Sequence, residues 1–127
     1  MIIGYTTGVY DLFHIGHLSI LNKAKKMCDK LIVGVTTDEL MISNKNKKSV
    51  IPYEERSEIV SNIKSVDVVV PQDSMNKLDA WKKFKFNIMF VGDDWKNTMK
   101  WDKYEEEFAK IGGEIIYFPY TKGTSST

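Results

Sequence analysis

Five short apolar runs punctuate the chain: Ile2–Thr7, Leu31–Val35 (LIVGV), Val66–Val70 (VDVVV), Ile88–Val91 (IMFV) and Ile115–Phe118 (IIYF). Each is rich in β-branched or aromatic residues and lacks the polar alternation of a half-exposed strand, so each predicts a strand covered on both faces. Helical patterns fall between them. Leu18, Leu21, Ala24 and Cys28 mark one apolar face, with Lys23, Lys25 and Lys26 turned to water. Pro52 followed by Glu54 and Glu55 reads as a helix start, with Ile59 and Ile63 on its buried face. Two more helices are expected at Met75–Phe84 and Trp101–Ile111, the second closed by Gly112-Gly113. Strands alternating with helices predict a doubly wound α/β fold, a parallel sheet with right-handed crossovers and helices on both faces. The polar, basic stretch from Ser43 to Ser49 reads as a loop between two helical segments.

Composition narrows the class. With 127 residues the chain is long enough to bury one core, and 28% charged against 43% hydrophobic residues is a globular balance. Eighteen basic and seventeen acidic residues leave a net charge of +1, far from the basic excess of a nucleic-acid binder. Arg56 is the only arginine. One cysteine, Cys28, and two histidines cannot build a Cys/His zinc cluster or an internal disulfide. No apolar run approaches the ~20 residues of a membrane span, and Met1-Ile2-Ile3-Gly4 does not read as a signal peptide. A single domain over residues 1–127, cytoplasmic, is the expectation.

In open parallel sheets ligands collect beyond the C-terminal strand ends, where the strand order reverses. The loop after the first strand reads Gly8-Val9-Tyr10-Asp11-Leu12-Phe13-His14-Ile15-Gly16-His17 and holds both histidines of the protein. They stand where the first helix begins, around a glycine that permits close backbone approach. Outward amides at a helix start favour an anion, and two imidazoles add donors for a phosphate as charge grows on it. A metal site from His14, His17 and Asp11 is the competing reading, without an evident further ligand. The spacing is neither G-x-G-x-x-G nor G-x-x-x-x-G-K-[ST].

Gly8-x-x-Asp11-x-x-His14-x-Gly16-His17 resembles the signature of the nucleotidyltransferase superfamily that contains the cytidylyltransferases. Gly92-Asp93-Asp94-Trp95 is similar to the G-D-D-W of glycerol-3-phosphate cytidylyltransferases. Tyr53-Glu54-x-Arg56, Lys45-x-Lys47-Lys48 and Thr121-x-Gly123-x-Ser125-Ser126-Thr127 resemble that group's second-helix segment, basic loop and C-terminal loop. The likeness implies a Rossmann-like five-stranded parallel sheet of order 3-2-1-4-5. It also implies attack by a small phosphomonoester on the α-phosphorus of CTP, with Mg²⁺ accompanying the nucleotide, and a homodimer. His14, His17 and Lys45 are the implied catalytic residues. The implied nucleotide contacts are Val9, Tyr10, Asp11, His14, Gly16, His17, Lys47, Gly92, Asp94 and Tyr120, with Thr121, Gly123, Thr124, Ser125 and Ser126 wrapping the ligand. Asp11, Lys45, Arg56, Met75, Lys77 and Trp95 are the implied acceptor contacts. The chemistry suits a sequence without an obvious nucleophile, because a monoester phosphate, with a second pKa of about 6, is already largely a dianion at neutral pH.

Three positions depart from the pattern. Tyr120 and Lys64 stand where relatives carry arginine, and Met75 where they carry tryptophan; a lysine or tyrosine cannot offer phosphate the rigid guanidinium fork. Other readings are a different acceptor (phosphoglutamine for a capsule phosphoramidate, phosphocholine or phosphoethanolamine), ATP-dependent heptose-phosphate adenylyl transfer, and a non-catalytic nucleotide sensor. Ser125-Ser126-Thr127 reads as the cap of a final helix. Trp81 and Phe84 predict core packing with Lys82, Lys83 and Lys85 turned outward. The methionines are expected in core gaps, Cys28 as a buried, inert thiol, and Trp95 and Trp101 in the pocket or between helices, where with Tyr120 they could cradle a quaternary ammonium.

Overall fold

A computed structural model of the chain describes residues 1–45, 49–74, 76–92 and 98–118 (backbone only at 44 and 45). Its elements run β1 (Ile3–Gly8), α1 (Ile15–Lys26), β2 (Lys30–Thr36), α2 (Asp38–Lys45), α3 (Tyr53–Ser61), β3 (Val68–Gln72), α4 (Lys77–Phe84), β4 (Ile88–Gly92), α5 (Met99–Lys110) and β5 (Glu114–Phe118). All four strand pairings are parallel, in the order β3-β2-β1-β4-β5 expected above. The order reverses between β1 and β4, whose register sets Thr6 beside Phe90.

Alternate strand residues feed two cores, as period-two geometry requires. Leu31, Val33, Val35 and Phe90 face α1 and α3, meeting Leu21, Ala24 and Val60. Ile32, Met89 and Tyr5 face the other way, onto Trp101, Phe108 and Phe86. Both sheet faces are therefore covered, which is why the strands read as continuous apolar runs. Trp81 and Phe84 pack against the second core as expected, while the Lys85 ammonium sits 4.0 Å over the Trp81 ring. Gly112, at φ 80°, follows α5 in the left-handed region that favours glycine.

Some expectations need correction. The third strand starts two residues later than its apolar run; just before it, the Asp67 carboxylate accepts the Leu31 amide and the Lys25 ammonium, each at 2.7 Å. It then continues through Pro71, which an edge strand tolerates. Helix α2 reaches Lys45, so the basic stretch is helical at its start. On α3 the buried residues are Arg56 and Val60, whereas Ile59 is 43% exposed. Of the described methionines only Met41 and Met89 are buried; Met1, Met27 and Met99 are exposed. Cys28 lies past the end of α1, half-buried against the first core, and burial pushes its thiol pKa up. No helix among the described residues is long and apolar enough to cross a membrane.

Candidate active site

A cavity of about 290 Å³ opens at the C-terminal edge of the sheet, beneath the crevice where the strand order reverses. Its floor is the sheet end: Thr6, Thr7 and Gly8 of β1, Thr36 of β2, Gln72 of β3, and Met89 to Gly92 of β4. The histidine loop forms one wall through Val9, Tyr10 and His17, and α4 and α5 supply Lys77, Lys100 and Trp101. Buried hydroxyls are held in place. Thr6 Oγ1 donates to the Phe90 carbonyl at 3.0 Å, and Thr36 Oγ1 to Gln72 Oε1 at 2.7 Å.

The two histidines are locked to one another through the backbone. His14 is the N-cap of α1, and its Nδ1 accepts the Gly16 amide at 3.0 Å. His17, three residues on, returns the bond: its Nδ1 accepts the His14 amide at 3.2 Å. This is a capping box with imidazoles in place of the usual hydroxyl and carboxamide. An imidazole nitrogen that accepts an N–H carries no proton, so in each neutral ring the proton is assigned to Nε2. The rings stack with centroids 4.1 Å apart. The sequence reading offered the helix-start amides themselves to an anion. Instead the Gly16 and His14 amides are spent on the rings; the His17 ring lines the cavity, whereas His14 and Gly16 are not part of its lining. Burial, and then the neighbouring His14, hold the His17 pKa below its usual 6.5. Protonation there would also set a new N–H against the His14 amide.

Tyr10 supports this arrangement from behind. Its ring is buried in the first core and meets the His17 ring edge-on at 5.4 Å. It lies so close over Gly8 that a Cβ there would come within 2.8 Å of the ring, which accounts for glycine at the strand end. Tyr10 (φ 55°) and Leu12 (φ 52°) are both left-handed, at a cost of about 1–2 kcal/mol each for residues with a Cβ.

Lys77, the first residue of α4, is 6% exposed with its ammonium 3.4 Å from Thr7 Oγ1 and 5.9 Å from the Trp101 ring centre. Burial, and then Lys100, push its pKa down to about 8. Trp101 lines the cavity, yet it is only 5% exposed and its face is met by this ammonium, so it does not offer the open face a quaternary-ammonium cage needs.

Two expected acceptor contacts are placed elsewhere. Arg56 is fully buried behind the cavity wall and makes four hydrogen bonds to protein acceptors. Asp11 turns its carboxylate away to accept the Val50 and Ile51 amides at 2.8 and 3.0 Å. Lys45 closes α2, with only its backbone described. Lys47, Met75, Asp94, Trp95, Tyr120, Thr121, Gly123, Thr124, Ser125 and Ser126 lie outside the described residues. Lys100 and the threonines Thr6, Thr7 and Thr36 line the cavity without having been singled out in the sequence. The threonines were findable from their place at strand ends; Lys100 is one lysine among many. No cluster of acidic, histidine or cysteine side chains among the described residues could hold a metal ion.

Residues 5–127 match the family model described as Cytidylyltransferase-like. The chain belongs to this cytidylyltransferase-like family. It is 41% identical over 123 residues to a glycerol-3-phosphate cytidylyltransferase of Bacillus spizizenii, covering 96% of this chain and 89% of that protein. A glycerol-3-phosphate cytidylyltransferase of Staphylococcus aureus is 38% identical, with 96% and 87% covered. Among solved structures, a lipopolysaccharide core biosynthesis protein from Thermoplasma volcanium superposes with a TM-score of 0.78 at 26% identity, covering 96% of this chain and 98% of that one.

Proposed function

We propose that this chain is a CTP-dependent cytidylyltransferase that transfers CMP to the phosphate of glycerol 3-phosphate. A phosphate oxygen of the acceptor forms a bond to the α-phosphorus, the bond from that phosphorus to the α,β-bridging oxygen breaks, and pyrophosphate leaves with the electron pair. The observation that carries this reading is the histidine pair. The His17 ring lines the cavity and the His14 ring stacks on it where the helix begins, each with its Nδ1 fixed by a backbone amide so that Nε2–H is left as the donor. Donors already aligned stabilise charge on the equatorial oxygens without reorganising as it forms.

The acceptor dianion needs no general base, so the remaining work is alignment of two anions. Lys77 and Lys100 give the far side of the cavity a positive field for the acceptor. Lys45 and Lys47 supply further cationic contacts to acceptor and triphosphate. Asp94 and the segment from Tyr120 to Ser126 hold the nucleoside side. Mg²⁺ would enter with CTP and would offset charge on the triphosphate. The enzyme works as one cytidylyltransferase domain, in the cytoplasm, as a homodimer, supplying an activated alcohol phosphate for cell-surface polymer or capsule assembly.

Pyrophosphate release with CTP and Mg²⁺ tests the reading across glycerol phosphates, phosphocholine, phosphoethanolamine, sugar phosphates and phosphoamino acids, with ATP as the nucleotide control. Turnover is expected with CTP and glycerol 3-phosphate. Turnover only with ATP, or release at background with every acceptor, refutes it.

A further inference from the structure

Arg56 is the only arginine of the chain and has no solvent exposure. It is absent from the cavity lining. Four of its five N–H donors bond within the protein. Nε donates to the Ile51 carbonyl at 2.8 Å, Nη1 to the carbonyls of Val9 and Thr36 at 2.7 and 2.8 Å, and Nη2 to Asp38 Oδ1 at 2.7 Å. These acceptors come from the histidine loop, the end of β2, the start of α2 and the segment after the basic stretch. Asp38 is itself tied to that segment, accepting Ser49 Oγ at 2.8 Å and the Tyr53 amide at 3.1 Å. The Tyr53 amide, first among its hydrogen bonds, keeps the Asp38 carboxyl below its usual pKa. Asp11 closes the ring from the other side by accepting the Val50 and Ile51 amides.

The loop held between these two clamps is the strained one. Val9, whose carbonyl Arg56 grips, precedes left-handed Tyr10; Asp11 stands between Tyr10 and left-handed Leu12. Unfavourable backbone persists where surrounding structure over-determines it, and here the surrounding structure is the Arg56 fork and the Asp11 carboxylate. The Tyr10 ring in turn backs the His17 ring.

We propose that Arg56 is a positioning residue: through the Val9 carbonyl, and with Asp11 pinning residues 50 and 51, it holds the histidine loop in the strained shape that aims the imidazoles. It acts on the reacting phosphorus only through that loop. Lysine carries the charge but cannot satisfy four acceptors in a plane.

Arg56→Lys and Asp38→Asn test this. Kinetics with CTP and glycerol 3-phosphate rest on the cytidylyl-transfer reading; ring spectra do not. With only two histidines, ¹⁵N-detected ring resonances are assignable, and each wild-type ring should show its proton on Nε2. In Arg56→Lys, kcat should fall about 10- to 100-fold with each KM within about threefold. The His17 ring should lose its single tautomer, while thermal unfolding stays cooperative. Asp38→Asn should move the same readouts in the same direction by less, and it decides the matter if Arg56→Lys does not fold. A KM for glycerol phosphate raised about tenfold or more, with kcat and ring spectra unchanged, would overturn the proposal in favour of direct acceptor contact. Unchanged kinetics and ring spectra in both variants would overturn it outright. If wild-type protein turns over no acceptor, the cytidylyl-transfer reading has failed, and the ring spectra alone confirm or overturn the positioning role.

Discussion

Replacing Lys77 with methionine should make the protein more stable and a poorer enzyme at once. The lysine is almost wholly buried, and in exchange for water its ammonium has one long hydrogen bond to Thr7 and the face of Trp101. The resulting fall in pKa, from 10.5 to about 8, corresponds to a penalty on the charged form of roughly 3 kcal/mol. Methionine keeps the length and the methylene contacts and removes the charge. At pH 7 the ligand-free variant should therefore gain about 1–3 kcal/mol in urea unfolding, a rise in Tm of about 5–10 °C for a domain of this size. The sign with pH follows from linkage. Between about 8 and 10.5 the unfolded lysine holds its proton while the folded one has lost it, so wild-type stability rises with pH across that window. The methionine variant should lack this rise. Catalysis should go the other way, with the KM for the acceptor up about 10- to 100-fold, the worth of one charge-assisted hydrogen bond to phosphate. A variant less stable than wild type at pH 7, with an unchanged pH profile, would refute the reasoning, since the ammonium would then carry no desolvation penalty.

Other outcomes follow from the same geometry. His14→Ala and His17→Ala should each lower kcat by about 10²-fold or more in a pyrophosphate-release assay, the usual cost of losing an aligned oxyanion donor; turnover within a few-fold of wild type would remove them from the mechanism. The His17 ring should titrate below 6.5 by NMR. Because the unfolded ring takes up its proton first, its contribution to stability should be complete above about 6.5 and decline as pH falls toward the folded value; a midpoint above 6.5 would contradict the buried placement. Leu12, left-handed and 59% exposed, has little packing to lose. Leu12→Gly should stabilise by about 0.5 kcal/mol in urea unfolding, relief of strain slightly exceeding glycine's entropic cost, and a loss of more than about 1 kcal/mol would mean the side chain packs more than its exposure indicates.

The sheet was readable from the sequence because its strands are buried on both faces, so LIVGV, IMFV and IIYF carry their own signal without reference to neighbours. The edge that carries the cavity was the one the sequence singled out, since both histidines fall in the loop after the first strand. What escaped depends on partners far away in sequence. Nothing in Tyr53-Glu54-Glu55-Arg56 distinguishes a surface arginine from a buried one; the partners that bury it are Asp38 and the carbonyls of Val9, Thr36 and Ile51. Seating that guanidinium puts Arg56 and Val60 inside and leaves Ile59 exposed, against the apolar pattern. The start of β3 was missed where the Asp67 carboxylate, in place of a backbone carbonyl, takes the Leu31 amide. The use of the helix-start amides by the histidines themselves was hidden as well, since a capping box is ordinarily written with Ser or Thr and Glu or Gln.

The claim on which the functional reading turns is that the two Nε2–H groups face the α-phosphate of CTP. Titrating ¹⁵N-labelled protein with Mg²⁺ and a non-hydrolysable CTP analogue addresses it ring by ring. The Nε2 and Hε2 resonances of both His14 and His17 should shift saturably, while both Nδ1 resonances keep the values set by their backbone amides. Saturable binding that leaves both Nε2 positions unmoved would contradict it.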